Sequence, residues 1–217
     1  MDISYLGHAS FKIKIKTASI ITDPFSPEMV GFKFPKTEAD IVTVSHHHPD
    51  HDYLAGVSGE PFVIDLPGEY ETKGVFIYGY PSFHDNKGGA ERGSNLIYLI
   101  EAEGLKIAHL GDLGAIPSDE VMEEIIGADV LMLPVGGKVT LEPQEATELI
   151  GKIEPSIVIP MHFKAPGINE EYFHELAPLE KFLSEIGAEQ AEHLEKLSIS
   201  KEKLPEETKV IVLERKS

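Results

Sequence analysis

Ser45-His46-His47-His48-Pro49-Asp50-His51 directly follows a short apolar run, Ile41–Val44, and the two stretches together indicate how this part of the chain folds. The run predicts a buried strand, because consecutive apolar and β-branched residues are typical of strands covered on both faces. Side chains of an extended segment alternate between two faces, so His46 and His48 are expected on one side and His47 on the other. Proline has no N–H to give to a sheet and is expected to end the strand. The histidines are therefore predicted to lie at a strand end.

The donor groups of this stretch point to metal binding. Three imidazoles, of His46, His48 and His51, and the carboxylate of Asp50 fall within six residues. Such groups are the ligands of zinc, iron or manganese, and four of them exceed what one closed site usually takes from so short a segment. The pattern suggests two adjacent metal ions. The alternative is a histidine-rich surface patch or tag, but a tag would lie at a terminus and would not carry the aspartate.

This motif resembles the signature of the metallo-β-lactamase superfamily. Later segments match further motifs of that family in the same order along the chain, and they contribute Asp23 (Ile21–Pro24), His84 (Ser82–Asp85), Asp112 (His109–Asp112) and His162 (Pro160–Phe163). The opening segment Tyr5–Phe11 is similar to the branch that contains the ascorbate-phosphate lactonase. The resemblance spans Leu6 to about Phe163.

The resemblance implies an α/β fold, an αββα four-layer sandwich, formed by residues 1–217 as a single domain. It also implies two divalent ions, zinc foremost and manganese or iron as alternatives, with the ligands divided as follows: His46, His48 and His84 on one ion, Asp50, His51 and His162 on the other, and Asp112 bridging both. Asp23 is expected to orient a ligand imidazole. The implied chemistry is hydrolysis of an ester, lactone, amide or phosphodiester by a metal-activated water, with Asp50 holding or accepting its proton.

Composition limits the partners of the protein. The net charge of −18 disfavours long nucleic acids and anionic membranes. The chain has no Cys, so it forms no disulfide and no thiolate metal ligand. No run approaches the ~20 apolar residues of a membrane span. The N-terminus lacks the pattern of a signal peptide, so a cytoplasmic location is expected. The oligomeric state is left open.

Strand alternation predicts which residues around Asp112 face inward. It groups Asp112 with Ala108 and Leu110, and His109 with Leu105 and Ile107, which favours Asp112 as the inward group and His109 as a core residue. The remaining chain predicts further strands and helices, with loops at Phe25–Lys36 and Pro81–Gly93. A helix is expected from Pro143 to Ile150, with Gly151 as its stop, and a strand over 157–159 that ends at Pro160. A helical stretch is expected over 170–186, broken at Pro178.

The substrate is expected to be a small anionic molecule. Arg92, Lys138 and Lys164 stand on predicted loops of an acidic protein, as solvated surface groups or as contacts to a substrate anion. His8 is either a residue at the edge of the site or a structural one. Two alternatives stay open, a dinuclear ribonuclease or phosphodiesterase and a non-catalytic metal-binding protein. Di-iron flavoproteins of this fold carry Glu at the position of His48, which argues against a redox function.

Overall fold

Two β-sheets lie face to face in the computed structural model, which describes residues 1–216. The six strands of the first sheet are β1 (Asp2–Gly7), β2 (Ser10–Lys14), β3 (Ser19–Thr22), β5 (Ile41–Thr43), β7 (Phe62–Ile64) and β15 (Leu197–Ser198). Their order is β15-β1-β2-β3-β5-β7. The parallel pairing of β3, β5 and β7 brings their carboxyl ends to one edge of the sheet.

The second sheet has eight strands, β8 (Gly68–Thr72), β9 (Val75–Phe83), β10 (Ser94–Ala102), β11 (Leu105–His109), β12 (Val130–Pro134), β13 (Ile157–Met161), β14 (Glu192–Leu194) and β16 (Lys209–Leu213). Their order is β14-β16-β13-β12-β11-β10-β9-β8. β8 to β11 are antiparallel neighbours, whereas β11, β12, β13 and β16 run parallel. A separate pair of two-residue strands is formed by β4 (Thr37–Glu38) and β6 (Val57–Ser58).

The main core fills the space between the sheets. Phe11 and Ile13 of β2 enter it, while the alternating Lys12 and Lys14 point away from it. Each large apolar side chain moved fully out of water contributes about 1.5–3 kcal/mol to folding. Tyr98 crosses this core and donates its hydroxyl to the carbonyls of Val44 and Ile64, at 2.8 Å each. That contact ties the second sheet to the end of β5, where the histidine-rich stretch begins.

Helices cover the outer faces unequally. Three of them pack on the second sheet through a second apolar cluster: α2 (Asp119–Ile125), α3 (Pro143–Ile153) and α5 (Leu179–Glu185). The first sheet is covered by two one-turn helices, α1 (Pro27–Val30) and α4 (Glu170–Phe173), and by the aromatic loop around Phe25 and Phe34. The layers are thus those of the expected αββα sandwich. None of the helices within residues 1–216 has the length and apolarity required to cross a bilayer.

Several sequence-based boundaries were wrong. β5 ends at Thr43, so the histidines lie in a bent segment after the strand rather than in it. α1 interrupts the predicted loop over 25–36, and β9 continues to Phe83. α3 passes through Gly151 and stops at Glu154, whose backbone is left-handed (φ 52°). Pro160 lies inside β13. The predicted break at Pro178 is confirmed, since α5 begins directly after it.

Candidate metal centre

Every predicted ligand lies just beyond the carboxyl end of a strand. His46, His48, Asp50 and His51 follow β5 of the first sheet, and the second sheet supplies His84 after β9, Asp112 after β11 and His162 after β13. The ligands therefore converge from both sheets on one edge of the sandwich. His47 points outward, with 63% of its side chain exposed.

Asp112 lies in the middle of this group. Its Oδ2 atom is 3.1 Å from Nε2 of His162, 3.2 Å from Nε2 of His51 and 3.3 Å from Nε2 of His84. Nε2 of His46 is 4.0 Å away. Two ligands bound at ~2.0–2.1 Å to one tetrahedral ion lie about 3.3 Å apart, so three of these spacings suit atoms that share an ion.

Several of the donor atoms also lack a hydrogen-bond partner. Ligand atoms lie within 4.8 Å of one another in three overlapping groups, which are His46, His48 and His84; His46, His51 and Asp112; and His8, Asp50, His51 and His162. Nε2 of His46, His51 and His162 and Oδ1 of Asp112 are buried without a hydrogen bond. Buried polar atoms are costly when unpaired. A set of buried nitrogen and oxygen donors that lack protein partners fits divalent ions.

Asp23 determines which imidazole nitrogens face this group. The carboxylate is fully buried and accepts from Ser45 N–H at 2.8 Å, from Ser45 Oγ–H at 2.6 Å and from His51 Nδ1–H at 2.9 Å. A carboxylate only accepts, so the single hydroxyl proton of Ser45 is used on Asp23. Oγ of Ser45 must then accept from Nδ1–H of His46, 2.9 Å away. In its neutral form each imidazole consequently presents an Nε2 lone pair to the cluster.

Burial and neighbouring charges set the protonation of the cluster. Burial lowers the pKa of His46 to about 3 and also lowers the pKa of His84, so both rings are neutral, the form that binds metals. Burial opposes a charge on His51, but Asp112 and Asp50 hold its pKa well above the ordinary value. Likewise burial opposes ionisation of Asp112, yet His162 and His51 hold its pKa well below the usual range. Without metal, His51 and Asp112 are an ion pair, and His51 must release a proton when its lone pair binds a metal ion.

Two further histidines have distinct positions. His8 is buried beside the cluster, with Nε2 3.0 Å from Oδ2 of Asp50. His109 donates Nε2–H to the carbonyl of Ala9 at 2.8 Å and accepts from Gly111 N–H at 3.3 Å on Nδ1, so its hydrogen bonds join the two sheets. His8, Asp23 and His162 all adopt left-handed backbone (φ 57°, 38° and 52°), which is uncommon outside glycine and occurs preferentially at functional sites.

Asp112 lies in the cluster, as expected, but strand alternation does not place it there. Ala108 and Leu110 face the helices, whereas His109 lies on the side between the sheets. Asp112 reaches the cluster because the strand ends at His109 and Gly111 (φ 56°) redirects the chain. A Cβ atom on Gly111 would lie 2.3 Å from Oδ1 of Asn95, so only glycine fits this turn.

Asn95 was not identified from the sequence. Its side chain is fully buried; Oδ1 accepts from Asp112 N–H at 3.0 Å, and Nδ2 donates to Ser82 Oγ at 2.8 Å and to the carbonyl of Leu110 at 2.9 Å. Asn95 thereby fixes the backbone that carries Asp112. Nothing in its sequence neighbourhood marks this role, because all its partners lie more than ten positions away.

Asp85 was also missed, and it organises the loop between His84 and Arg92. Its two oxygens accept four backbone N–H groups at 2.8–3.0 Å, from Lys87, Gly89, Glu91 and Arg92. Burial opposes ionisation of Asp85, but these four bonds lower its pKa to about 2. An aspartate directly before a glycine-rich loop is a signal that could have identified it.

A cavity of about 300 Å³ opens onto the cluster. It is lined by His48, Asp50, His84, Asp112 and His162, by the apolar side chains of Met29, Val139, Phe173 and Leu176, and by Pro49, Arg92, Lys138, Tyr172 and Glu175. Two of the three cations predicted to meet a substrate are thus brought to the cavity. Lys164 is not: its ammonium binds Oε2 of Glu170 at 2.9 Å and the carbonyl of His174 at 3.2 Å.

Comparison with known proteins agrees with this geometry. Residues 2–162 match the family model described as the beta-lactamase superfamily domain. A metal-dependent hydrolase of Thermococcus onnurineus is 30% identical over 192 residues, which cover 75% of this chain and 84% of the relative. A crystal structure from Thermotoga maritima, of a candidate zinc-dependent hydrolase of the metallo-β-lactamase superfamily, is 36% identical with a TM-score of 0.81 and covers 99% of both chains. Igni18, a metallo hydrolase of Ignicoccus hospitalis, shares the fold at 20% identity, with a TM-score of 0.66 and coverage of 100% of this chain and 96% of Igni18. The chain therefore belongs to the metallo-β-lactamase superfamily and groups with its metal-dependent hydrolases.

Proposed function

We propose that residues 1–217 form one domain that hydrolyses a small anionic ester, lactone or phosphodiester with two bound divalent ions. The observation that carries this proposal is the convergence of buried, unpaired imidazole and carboxylate atoms around Asp112 beside a cavity. Imidazole and carboxylate donors suit zinc foremost and are also accepted by manganese and iron. The absence of thiolate ligands is compatible with all three metals.

The ligands would divide as the family resemblance implies. His46, His48 and His84 would hold one ion, Asp50, His51 and His162 the other, and Asp112 would contact both. The first three form one of the observed groups, and the next three fall together in another. When bound, the ions supply a water of lowered pKa and stabilise the negative charge that develops on the substrate oxygen.

The chain's own residues then orient the substrate and move the proton. In ester hydrolysis the water oxygen bonds to the acyl carbon, the bond from that carbon to the alcohol oxygen breaks, and the leaving oxygen takes a proton. Asp50 lines the cavity and its Oδ2 is held by Nε2 of His8, so we assign it to accept the water proton and return it to the leaving group. Asp23 keeps the imidazoles of His46 and His51 in the tautomer that presents Nε2.

The size and charge of the molecule favour a small substrate over a polynucleotide. The cavity of about 300 Å³ is at the lower end of the ~300–1,000 Å³ typical of ligand sites. Binding of a long polyanion requires many Lys and Arg contacts, and the net charge of −18 opposes it.

Metal content and turnover test this proposal together. Protein stripped with a chelator and reconstituted with zinc should contain close to two equivalents by elemental analysis. The loaded protein should hydrolyse simple aryl esters or bis(4-nitrophenyl) phosphate, and Asp112→Asn should lose both metal and activity. A stoichiometry of zero at saturating zinc, manganese and iron would contradict the proposal. Efficient cleavage of long RNA with no turnover of small esters would favour a nuclease instead.

A further inference from the structure

One wall of the cavity is apolar and preformed. Met29, Val139, Phe173 and Leu176 line it next to the metal-binding side chains. Phe173 and Leu176 are only 6% and 4% exposed and belong to the apolar cluster that covers the first sheet. Their positions are fixed by that packing, so the wall is present before a substrate arrives. A wall of this kind stabilises a hydrocarbon group and contributes nothing to a purely polar substrate.

Apart from the candidate metal ligands Asp50 and Asp112, the charged side chains of the cavity add up to a single positive charge. Arg92, Lys138 and Glu175 all line it. Nζ of Lys138 is 2.9 Å from Oε1 of Glu175, so these two charges compensate each other. Within residues 1–216, the guanidinium of Arg92 has no carboxylate within the 4.0 Å that defines an ion pair. Arg92 is left to bind an anion.

The position of Arg92 relative to the metal centre is also fixed. Arg92 N–H binds Oδ2 of Asp85 at 2.8 Å, and Asp85 directly follows His84. His84 N–H in turn binds the carbonyl of Gly93 at 3.1 Å, which closes the loop on itself. The loop therefore holds the backbone of Arg92 at a defined place beside His84, and the exposed side chain of Arg92 extends from it along the cavity.

We infer that the substrate is an amphiphilic monoanion: an ester or lactone with a hydrocarbon body that packs on the apolar wall and one remote negative charge that binds Arg92. The Lys138–Glu175 pair acts against a second negative charge, because Glu175 both occupies Lys138 and repels another anion. This inference rests on the proposed hydrolase function. The bond that breaks is the acyl carbon–oxygen bond, and water supplies the new oxygen, so one carboxylate and one alcohol are formed.

Three esters with the same reacting bond test the charge preference on the metal-loaded full-length protein. They are 4-nitrophenyl hexanoate (neutral), the mono-4-nitrophenyl ester of adipic acid (one negative charge) and the 4-nitrophenyl ester of 6-(phosphonooxy)hexanoic acid, whose phosphate monoester carries two negative charges at pH 8. We expect the monoanion to have the highest kcat/KM. Arg92→Gln should lower its kcat/KM on the order of 10- to 100-fold, the value of one charge-assisted hydrogen bond, and leave the neutral ester unchanged.

Two further variants make the test specific. Lys87→Gln removes a positive charge from the same loop, where Lys87 pairs with Glu91 away from the cavity, and should leave all three esters unchanged. Glu175→Gln frees Lys138 and removes the repulsion, so the kcat/KM of the dianion should rise by about 10-fold relative to the monoanion. The inference is overturned if the neutral ester is as good a substrate as the monoanion, if Arg92→Gln affects both equally, or if the wild-type protein prefers the dianion.

Measurements of ester binding distinguish a failure of this inference from a failure of the proposed function. If neither these esters nor bis(4-nitrophenyl) phosphate are hydrolysed above the rate of Asp112→Asn, the hydrolase proposal fails. The same intact esters are then titrated into the protein by calorimetry. Tighter binding of the monoanion that disappears in Arg92→Gln would still support the inference, and equal binding of all three esters would overturn it.

Discussion

The most informative perturbation is Asp23→Asn, which alters no predicted metal ligand. The Asp23 carboxylate accepts from two groups of Ser45 and from Nδ1–H of His51. An asparagine of the same size has one accepting oxygen and one donating nitrogen. If its oxygen keeps the Ser45 N–H, its nitrogen faces His51 and reverses that ring's tautomer. If the amide is turned over, its nitrogen faces the Ser45 N–H instead. In the first orientation the nitrogen faces both Ser45 Oγ and His51 Nδ1, so the hydrogen bonds behind both rings are reversed, and in the second two N–H donors face each other.

The expected losses of metal affinity and of unfolding free energy follow from these contacts. Loss of a hydrogen-bonded partner behind a metal-binding histidine typically costs 10- to 100-fold in metal affinity, about 1.4–2.8 kcal/mol per site. Asp23 holds His51 directly and His46 through the Ser45 hydroxyl, and these two rings are predicted to serve different ions. Asp23→Asn should therefore weaken both metals. The metal-free protein should lose about 1–3 kcal/mol of unfolding free energy, because a buried donor is left unpaired.

Competition between the protein and a chelating dye measures both affinities, and urea unfolding of metal-free protein measures stability. Asp52→Asn is the matched control, since that carboxylate lies near an exposed histidine, with its Oδ2 3.6 Å from Nδ1 of His47. It should bind metal like the wild type. If Asp23→Asn folds and retains both metal affinities within about 3-fold of the wild type, Asp23 does not orient these imidazoles for metal binding. Loss of one metal alone would refute the path through Ser45.

Two further predictions concern the same edge of the sandwich. His46→Ala should lose metal and activity whereas His47→Ala should keep both, because the His47 side chain is 63% exposed; elemental analysis checks this, and metal loss in His47→Ala alone would contradict it. The loop held by Asp85 should resist acid: its depressed pKa means that the ionised carboxylate stabilises the loop fully above about pH 3.8 and that this contribution is lost as the pH falls through about 2. Amide-exchange protection factors of Gly89 and Arg92 between pH 2 and 5 measure this loss, and a loop that opens already at pH 5 would contradict the assignment.

The candidate metal ligands could be located from the sequence because they follow a local pattern. Each of them lies shortly after an apolar run that forms a strand, and this arrangement can be recognised in one segment of the sequence at a time. Asn95 could not be predicted, since it acts through the Ser82 hydroxyl on β9 and through the backbone of Leu110 and Asp112 after β11, which only the folded sheet brings to it. The orientation of Asp112 was equally inaccessible, because the turn at Gly111 resets the alternation on which the prediction relied.

Elements of the fold were missed for a similar reason. β8 (Gly68–Thr72) is an edge strand with mostly exposed or half-buried residues, so it shows no apolar alternation. Its strand conformation comes from pairing with β9. α1 is four residues long, too short for a helical period to be visible in the sequence, whereas α4 is the first turn of the helical stretch predicted over 170–186. They are stabilised by packing over the first sheet.

The origin of the ligands from both sheets has a consequence for how the protein holds together. One face of the centre is attached to β5 and the other to β9, β11 and β13. An ion bound between them is a cross-link between the two halves of the sandwich, and it forms only after the halves have docked. The free energy of metal binding is then also free energy of sheet association at that edge. Without metal, the ion pair of His51 and Asp112, whose atoms lie 3.2 Å apart, supplies part of this link between the sheets.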